Sequence, residues 1–102
     1  MPVGTVIFSE GDAGSEMFGV IDGRVTLSRG GEVVSEVGPD EVFGELALVD
    51  ASARSRTAVA ATDSVLAVID QRQFLFLVHE TPMFALQVMR ALAERLRRWD
   101  DT

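Results

Sequence analysis

The sequence predicts a mainly β fold with C-terminal helices: a double-stranded β-helix, or jelly roll, followed by two α-helices. Two observations predict it. Between residues 4 and 70, short β-branched and aromatic runs alternate with glycine-, proline- and aspartate-rich turns, the pattern of sandwiches and rolls. From residue 71 the apolar spacing lengthens to that of a helix.

The elements follow in order. Val6-Ile7-Phe8 is a short apolar strand, and Glu10 to Ser15 is a glycine-rich loop after it. Met17 to Ile21 and Arg24 to Ser28 flank Asp22-Gly23, a hairpin signal because a type I′ turn needs positive φ at both central residues. Arg29-Gly30-Gly31-Glu32 repeats that chemistry, and a strand from Val33 to Val37 ends at the turn Gly38-Pro39-Asp40-Glu41. Arg56 to Ala61 and Val65 to Ile69 read as two more strands around Thr62-Asp63-Ser64. Phe74, Leu75 and Val78 then fit a short helix. Thr81-Pro82 offers an N-cap with proline at the first helical position, opening a second helix that runs to about Arg98. Its stripe of Phe84, Val88, Ala91, Leu92, Arg95 and Trp99, widened by Ala85, Met89 and Leu96, covers more than one face needs. Part is expected to pack on the roll and part on a partner, such as a second copy of the chain.

At 102 residues the chain reads as one domain, 1–102, with the roll over about 4–70 and the helices over about 71–99. With no cysteine there is neither a disulfide framework nor thiolate chemistry. The apolar runs fall far short of the roughly 20 residues of a membrane span, and the N-terminus lacks the charged start and apolar middle of a signal peptide. A cytoplasmic protein without membrane contact is the expectation. The net charge of −7 argues against general nucleic-acid binding. Before residue 54, Arg24 and Arg29 face ten acidic residues, so any anion site must bring its own cations. All nine basic residues are arginine, which suits bidentate anion recognition but is better explained by a GC-rich genome.

One segment points its chemistry outward. In Phe43-Gly44-Glu45-Leu46-Ala47-Leu48 a glycine opens the backbone, a carboxylate sits beside it, and amide N–H groups follow on one helical turn. Arg54-Ser55 arrives after a polar spacer. Glycine, carboxylate, amides and arginine at this spacing suit a sugar phosphate. Catalysis is not expected: His79 is a lone histidine on a helix, so there is no clustered-histidine metal site, and no serine has a nucleophile-elbow context.

The order Ile7-Phe8, Glu10-Gly11-Asp12, Gly14, Met17-Phe18, Val20, Gly23, Val25, Phe43 to Leu48, Arg54-Ser55 and Thr62-Asp63 resembles the cyclic nucleotide-binding domain. That is the module of the catabolite activator protein, of protein kinase A regulatory subunits and of cyclic-nucleotide-gated channels. The resemblance spans about residues 4 to 98 and makes Phe43 to Ala58 the phosphate-binding cassette. It implies that Glu45 accepts a hydrogen bond from the ribose 2′-hydroxyl and that Arg54 pairs with the exocyclic phosphate oxygens. Backbone N–H groups around Gly44, Leu46, Ala47 and Ser55 would complete the cradle. The implied function is a non-catalytic sensor or regulatory module for cyclic AMP or cyclic GMP, with no other cofactor and no metal, coupling occupancy to movement of its C-terminal helices.

Two residues depart from the family pattern. Ala53 stands where proline is common, and Arg56 where a small residue precedes the threonine. Arg56 reads as a second cation at the phosphate, as a side chain directed to water from a strand edge, or as a bulk that crowds the pocket. The last reading supports an alternative function, a degenerate roll that has lost its ligand and serves dimerisation or protein interaction. For the base, Val33 and Ser35 on alternate positions of one strand are candidate lining residues. Arg95, with Leu92 and Ala91, lies on the helix face that relatives swing over the base. The chain itself holds no DNA-reading element.

Overall fold

The computed structural model describes residues 1–49 and 53–100, and side chains among them except those of Val49, Ala91, Leu92 and 94–100. The strands are β1 (Val6–Phe8), β2 (Met17–Asp22), β3 (Val25–Arg29), β4 (Glu32–Val37), β5 (Val42–Phe43), β6 (Thr57–Ala60) and β7 (Val65–Ile69). The helices are α1 (Leu46–Val49), α2 (Gln71–Glu80) and α3 (Met83–Asp100). Two antiparallel sheets result, one ordered β1-β6-β3-β4 and the other β5-β2-β7. The chain therefore changes sheet at almost every corner, which is the wrapping expected of a roll, and C-terminal helices close it as expected.

The turns behave differently from one another, and burial explains why. Gly30 and Gly31 both take positive φ, at 59° and 86°, and join β3 to β4 as a true hairpin. Asp22-Gly23 does not. Only Gly23 has positive φ there, and β2 and β3 belong to different sheets, so the expected hairpin is a corner. The reason is packing: a Cβ on Gly23 would lie 2.3 Å from Ser64 Oγ and 2.5 Å from the Asp63 carbonyl oxygen. The corner is thus wedged against the β6–β7 turn, and Arg24 N–H donates to Thr62 Oγ1 at 3.0 Å.

Strand alternation places the core. Phe18, Val20, Val25, Leu27, Val37, Phe43 and Ala58 fill the space between the sheets. The alternate residues of β2 and β5, Met17 and Val42, point the other way and join Leu48, Ile69 and Val88 against Phe74, Leu77 and Phe84 of the helices. β2 and β5 are therefore buried on both faces, and α1 sits in the second cluster through Leu48. Strand β5, which the sequence reading merges into the cradle, is too short to show a period, yet Phe43 is fully buried.

Helix α2 opens on a reciprocal capping box: Gln73 N–H donates to Asp70 Oδ1 at 2.8 Å, and Asp70 N–H to Gln73 Oε1 at 3.0 Å. Thr81 closes this helix, its N–H donating to the Leu77 carbonyl at 2.7 Å, and its own carbonyl accepts from Phe84 N–H as α3 begins. On α3, Val88 is buried, whereas Leu86 and Met89 are exposed. Trp99 of the expected stripe lies outside the described side chains. Among the described residues no helix is long and apolar enough to cross a membrane.

Candidate functional site

The pairing of β1 with β6 brings the Glu10–Glu16 loop against the segment that enters β6. The two then continue bonding past the strands: Gly11 N–H donates to the Arg54 carbonyl at 2.8 Å, Arg54 N–H to the Asp12 carbonyl at 2.8 Å, and Glu10 N–H to Thr57 Oγ1 at 3.1 Å. Arg54 is thereby fixed in backbone before its side chain makes any contact.

Its guanidinium turns toward Gly44. Nη1 donates to the Gly44 carbonyl at 3.2 Å and Nη2 to the Glu16 carbonyl at 2.8 Å. The Cζ atom stands 4.3 Å from the centre of the Phe8 ring. Gly14 lies against the Nε and Nη2 edge, where a Cβ would fall 2.4 and 2.5 Å from those atoms. Burial lowers the pKa of Arg54 below its ordinary value, and the charges of Glu16 and Asp12 oppose that shift. The cation is thus partly desolvated and strongly directed.

The other side of the site follows from the end of β5. Gly44 takes φ +75°, and a Cβ on it would come within 2.9 Å of Arg54 Nη1, so the guanidinium approaches bare backbone. Glu45, next in the chain, is 1% exposed with both carboxylate oxygens shielded from solvent. Leu46 is exposed, and the Ala47 N–H is already donated to the Gly44 carbonyl at 3.3 Å. The structure therefore gathers Gly44, Glu45, Leu46, Ala47 and Arg54 around one bend. Ser55 follows Arg54 as an exposed residue, and Arg56 is half-buried just before β6, with Nη1 shielded from solvent.

The two strand candidates are not brought together. A bulge at Val34 pairs Ser35 with Leu27 but Val33 with Ser28, and Leu27 and Ser28 alternate across β3. Ser35 therefore shares the inward side of Leu27 while Val33 lies on the opposite face, 66% exposed. Arg95 is on α3, its side chain outside the described set. What the sequence reading missed is the cage around Arg54: Phe8, Gly14 and the Glu16 carbonyl. Nothing in one dimension links residues 8 and 14 to residue 54; the β1–β6 register does. The cage also gives Arg54 a packing role.

Two antiparallel sheets wrapped into a roll and closed by C-terminal helices define the class, a β-roll domain. The chain belongs to the cyclic nucleotide-binding domain family, whose pattern it matches over residues 1–81. It is similar to the cyclic AMP receptor protein of Thermus thermophilus, 38% identical over 104 residues, covering 97% of this chain and 48% of that protein. A cyclic nucleotide-gated potassium channel of Rhizobium etli is 35% identical over 95 residues, covering 93% of this chain and 26% of the channel. Among solved structures, the Thermus thermophilus catabolite activator protein superposes with a TM-score of 0.84 at 37% identity, over 98% of this chain and 49% of that one. The chain thus spans about half the length of the receptor protein and a quarter of the channel.

Proposed function

We propose that this chain is a non-catalytic cyclic nucleotide sensor module that converts occupancy by cyclic AMP or cyclic GMP into movement of its C-terminal helices. The observation that carries the reading is the Arg54 guanidinium turned onto the Gly44 backbone, with the buried Glu45 carboxylate on the next residue of the chain. A cyclic phosphate is a monoanion whose oxygens match the arginine fork. The neighbouring ribose hydroxyl is a donor that a buried carboxylate accepts well. The channel and receptor relatives carry cyclic nucleotides in their names, which supports the same ligand class here.

Coupling has a physical route. Leu48 of α1, one turn after Glu45, packs with Val88 of α3, and the Gln71 side-chain amide of α2 donates to the Leu48 carbonyl at 3.2 Å. Drawing α1 toward a phosphate therefore disturbs what the helices rest on. Occupancy shifts the helix arrangement to the extent that the ligand prefers one arrangement over the other. Partners then read the exposed surface of α2 and α3, on which Leu75, Phe76, Met83, Leu86 and Met89 are uncovered, and a homodimer through α3 is one such use. The module works in the cytoplasm, where cyclic nucleotides signal.

For a ligand of roughly 22 heavy atoms at roughly 0.3 to 0.4 kcal/mol per atom, the affinity falls in the micromolar range. Thermal shift and calorimetry with cyclic AMP, cyclic GMP and the linear monophosphates test the reading. Cyclic nucleotides should raise the melting temperature, and Arg54→Ala should weaken binding by about 2 to 4 kcal/mol. Equal affinity for wild type and Arg54→Ala would remove Arg54 from the site. No shift with any cyclic nucleotide at millimolar concentration would leave the roll as an interaction module instead.

A further inference from the structure

Two rings, Phe8 and Phe18, lie beneath the Arg54 guanidinium, and Phe43 packs against both. Phe18 and Phe43 stack with centroids 5.3 Å apart, and Phe8 tilts against them at 5.9 and 6.0 Å. Arg54 Cζ is 4.3 Å from the Phe8 ring and 5.8 Å from that of Phe18. Phe18 and Phe43 belong to the roll core and Phe8 packs against it, so this floor is as rigid as the core itself.

The floor matters because of how the cation is otherwise held. Its hydrogen bonds run to two backbone carbonyls, and its Nε is shielded from water with no hydrogen-bond partner among the described residues. A shielded donor on a partly desolvated cation needs compensation from elsewhere. The negative face of an aromatic ring supplies it and fixes the plane of the guanidinium at the same time. Gly14 closes the Nε and Nη2 edge, so the uncommitted Nη protons are those an anion can reach. An arginine gains over a lysine in phosphate recognition only if that plane is fixed.

We propose that Phe8 is a positioning residue for phosphate recognition, holding the Arg54 guanidinium in the plane that an anionic ligand meets, with Gly14 closing its edge. The inference rests on the reading of Arg54 as the phosphate ligand. It does not need the helix coupling.

A binding cycle tests it, with cyclic AMP and cyclic GMP as probes in calorimetry. Phe8→Leu keeps an apolar filler and removes the ring, and should weaken the better-bound nucleotide about fivefold to thirtyfold, the span from the upper end of exposed cation–π interactions to desolvated ones. Phe8→Tyr keeps the ring and should bind within about twofold of wild type. In an Arg54→Gln background, Phe8→Leu should cost nothing further. The Arg54 Nε proton should also show an NMR ring-current shift in wild type and Phe8→Tyr that is absent in Phe8→Leu. Equal weakening in both backgrounds, or unchanged affinity in Phe8→Leu, overturns the positioning role while leaving the ligand reading intact. Failure of wild type to bind either nucleotide overturns both.

Discussion

Replacing Gly14 by alanine would set a methyl carbon 2.4 Å from Arg54 Nε, 2.5 Å from Nη2 and 2.7 Å from Cζ, where ordinary contact begins near 3.4 Å. The guanidinium must leave. It would forfeit the 2.8 Å bond to Glu16, the 3.2 Å bond to Gly44 and its place on Phe8. Bonds from a charged donor contribute about 1.5–3 kcal/mol each and the ring contact about 0.5–1. Because Arg54 is only half-buried, water recovers much of this on release, leaving a loss of about 2–3 kcal/mol. Against it, Gly14 is not among the positive-φ glycines, so alanine gains about 0.4–1 kcal/mol through the unfolded chain. The net cost is about 2 kcal/mol, or a melting temperature lower by roughly 8–16 °C in a domain of this size. The assay is a double-mutant cycle by thermal and urea unfolding. In an Arg54→Ala background the methyl group has room, so Gly14→Ala should be neutral or stabilising. An equal cost in both backgrounds, or a higher melting temperature for Gly14→Ala alone, would refute the cage.

Substitutions at three further sites follow from the backbone. Gly23→Ala should cost about 3 kcal/mol or more in urea unfolding, because φ +94° combines with a clash against the Asp63 carbonyl that cannot rotate away. Gly30→Asn should stay within about 1 kcal/mol of wild type, since φ is +59° with nothing within 4 Å. Asp70→Ala should lower stability by about 1 kcal/mol and speed amide exchange at Gln73, whereas Asp70→Asn should retain most of the cap.

The roll was legible because its turns and strands carry local signals. Val65 to Ile69 appears with the expected bounds, and Gly30-Gly31 makes the expected hairpin. Asp22-Gly23 carries the same local signal and does something else, because Ser64 and Asp63, some 40 residues on, occupy the space beside it. The same limit applies at the site. Gly44, Glu45 and Arg54 sit near one another in sequence, so spacing alone nominates them together, whereas Phe8 and Gly14 reach Arg54 only through the β1–β6 register. Val33 and Ser35 show the opposite error: strict alternation put them on one face, and one extra residue at the bulge put them on two.

The wrapping of the roll also sets an order of events in folding. Strand β1 has its partner in β6, and Met1 is bonded to Ser64. Among the described residues β3 and β4 are the only consecutive strands that pair directly, so a short loop closes one hairpin while every other pairing waits on distant chain. Such topologies fold in milliseconds to seconds rather than microseconds. During synthesis the first strand stays an open edge until residue 60 has emerged, and the arginine cage, built across that same seam, cannot close before it does.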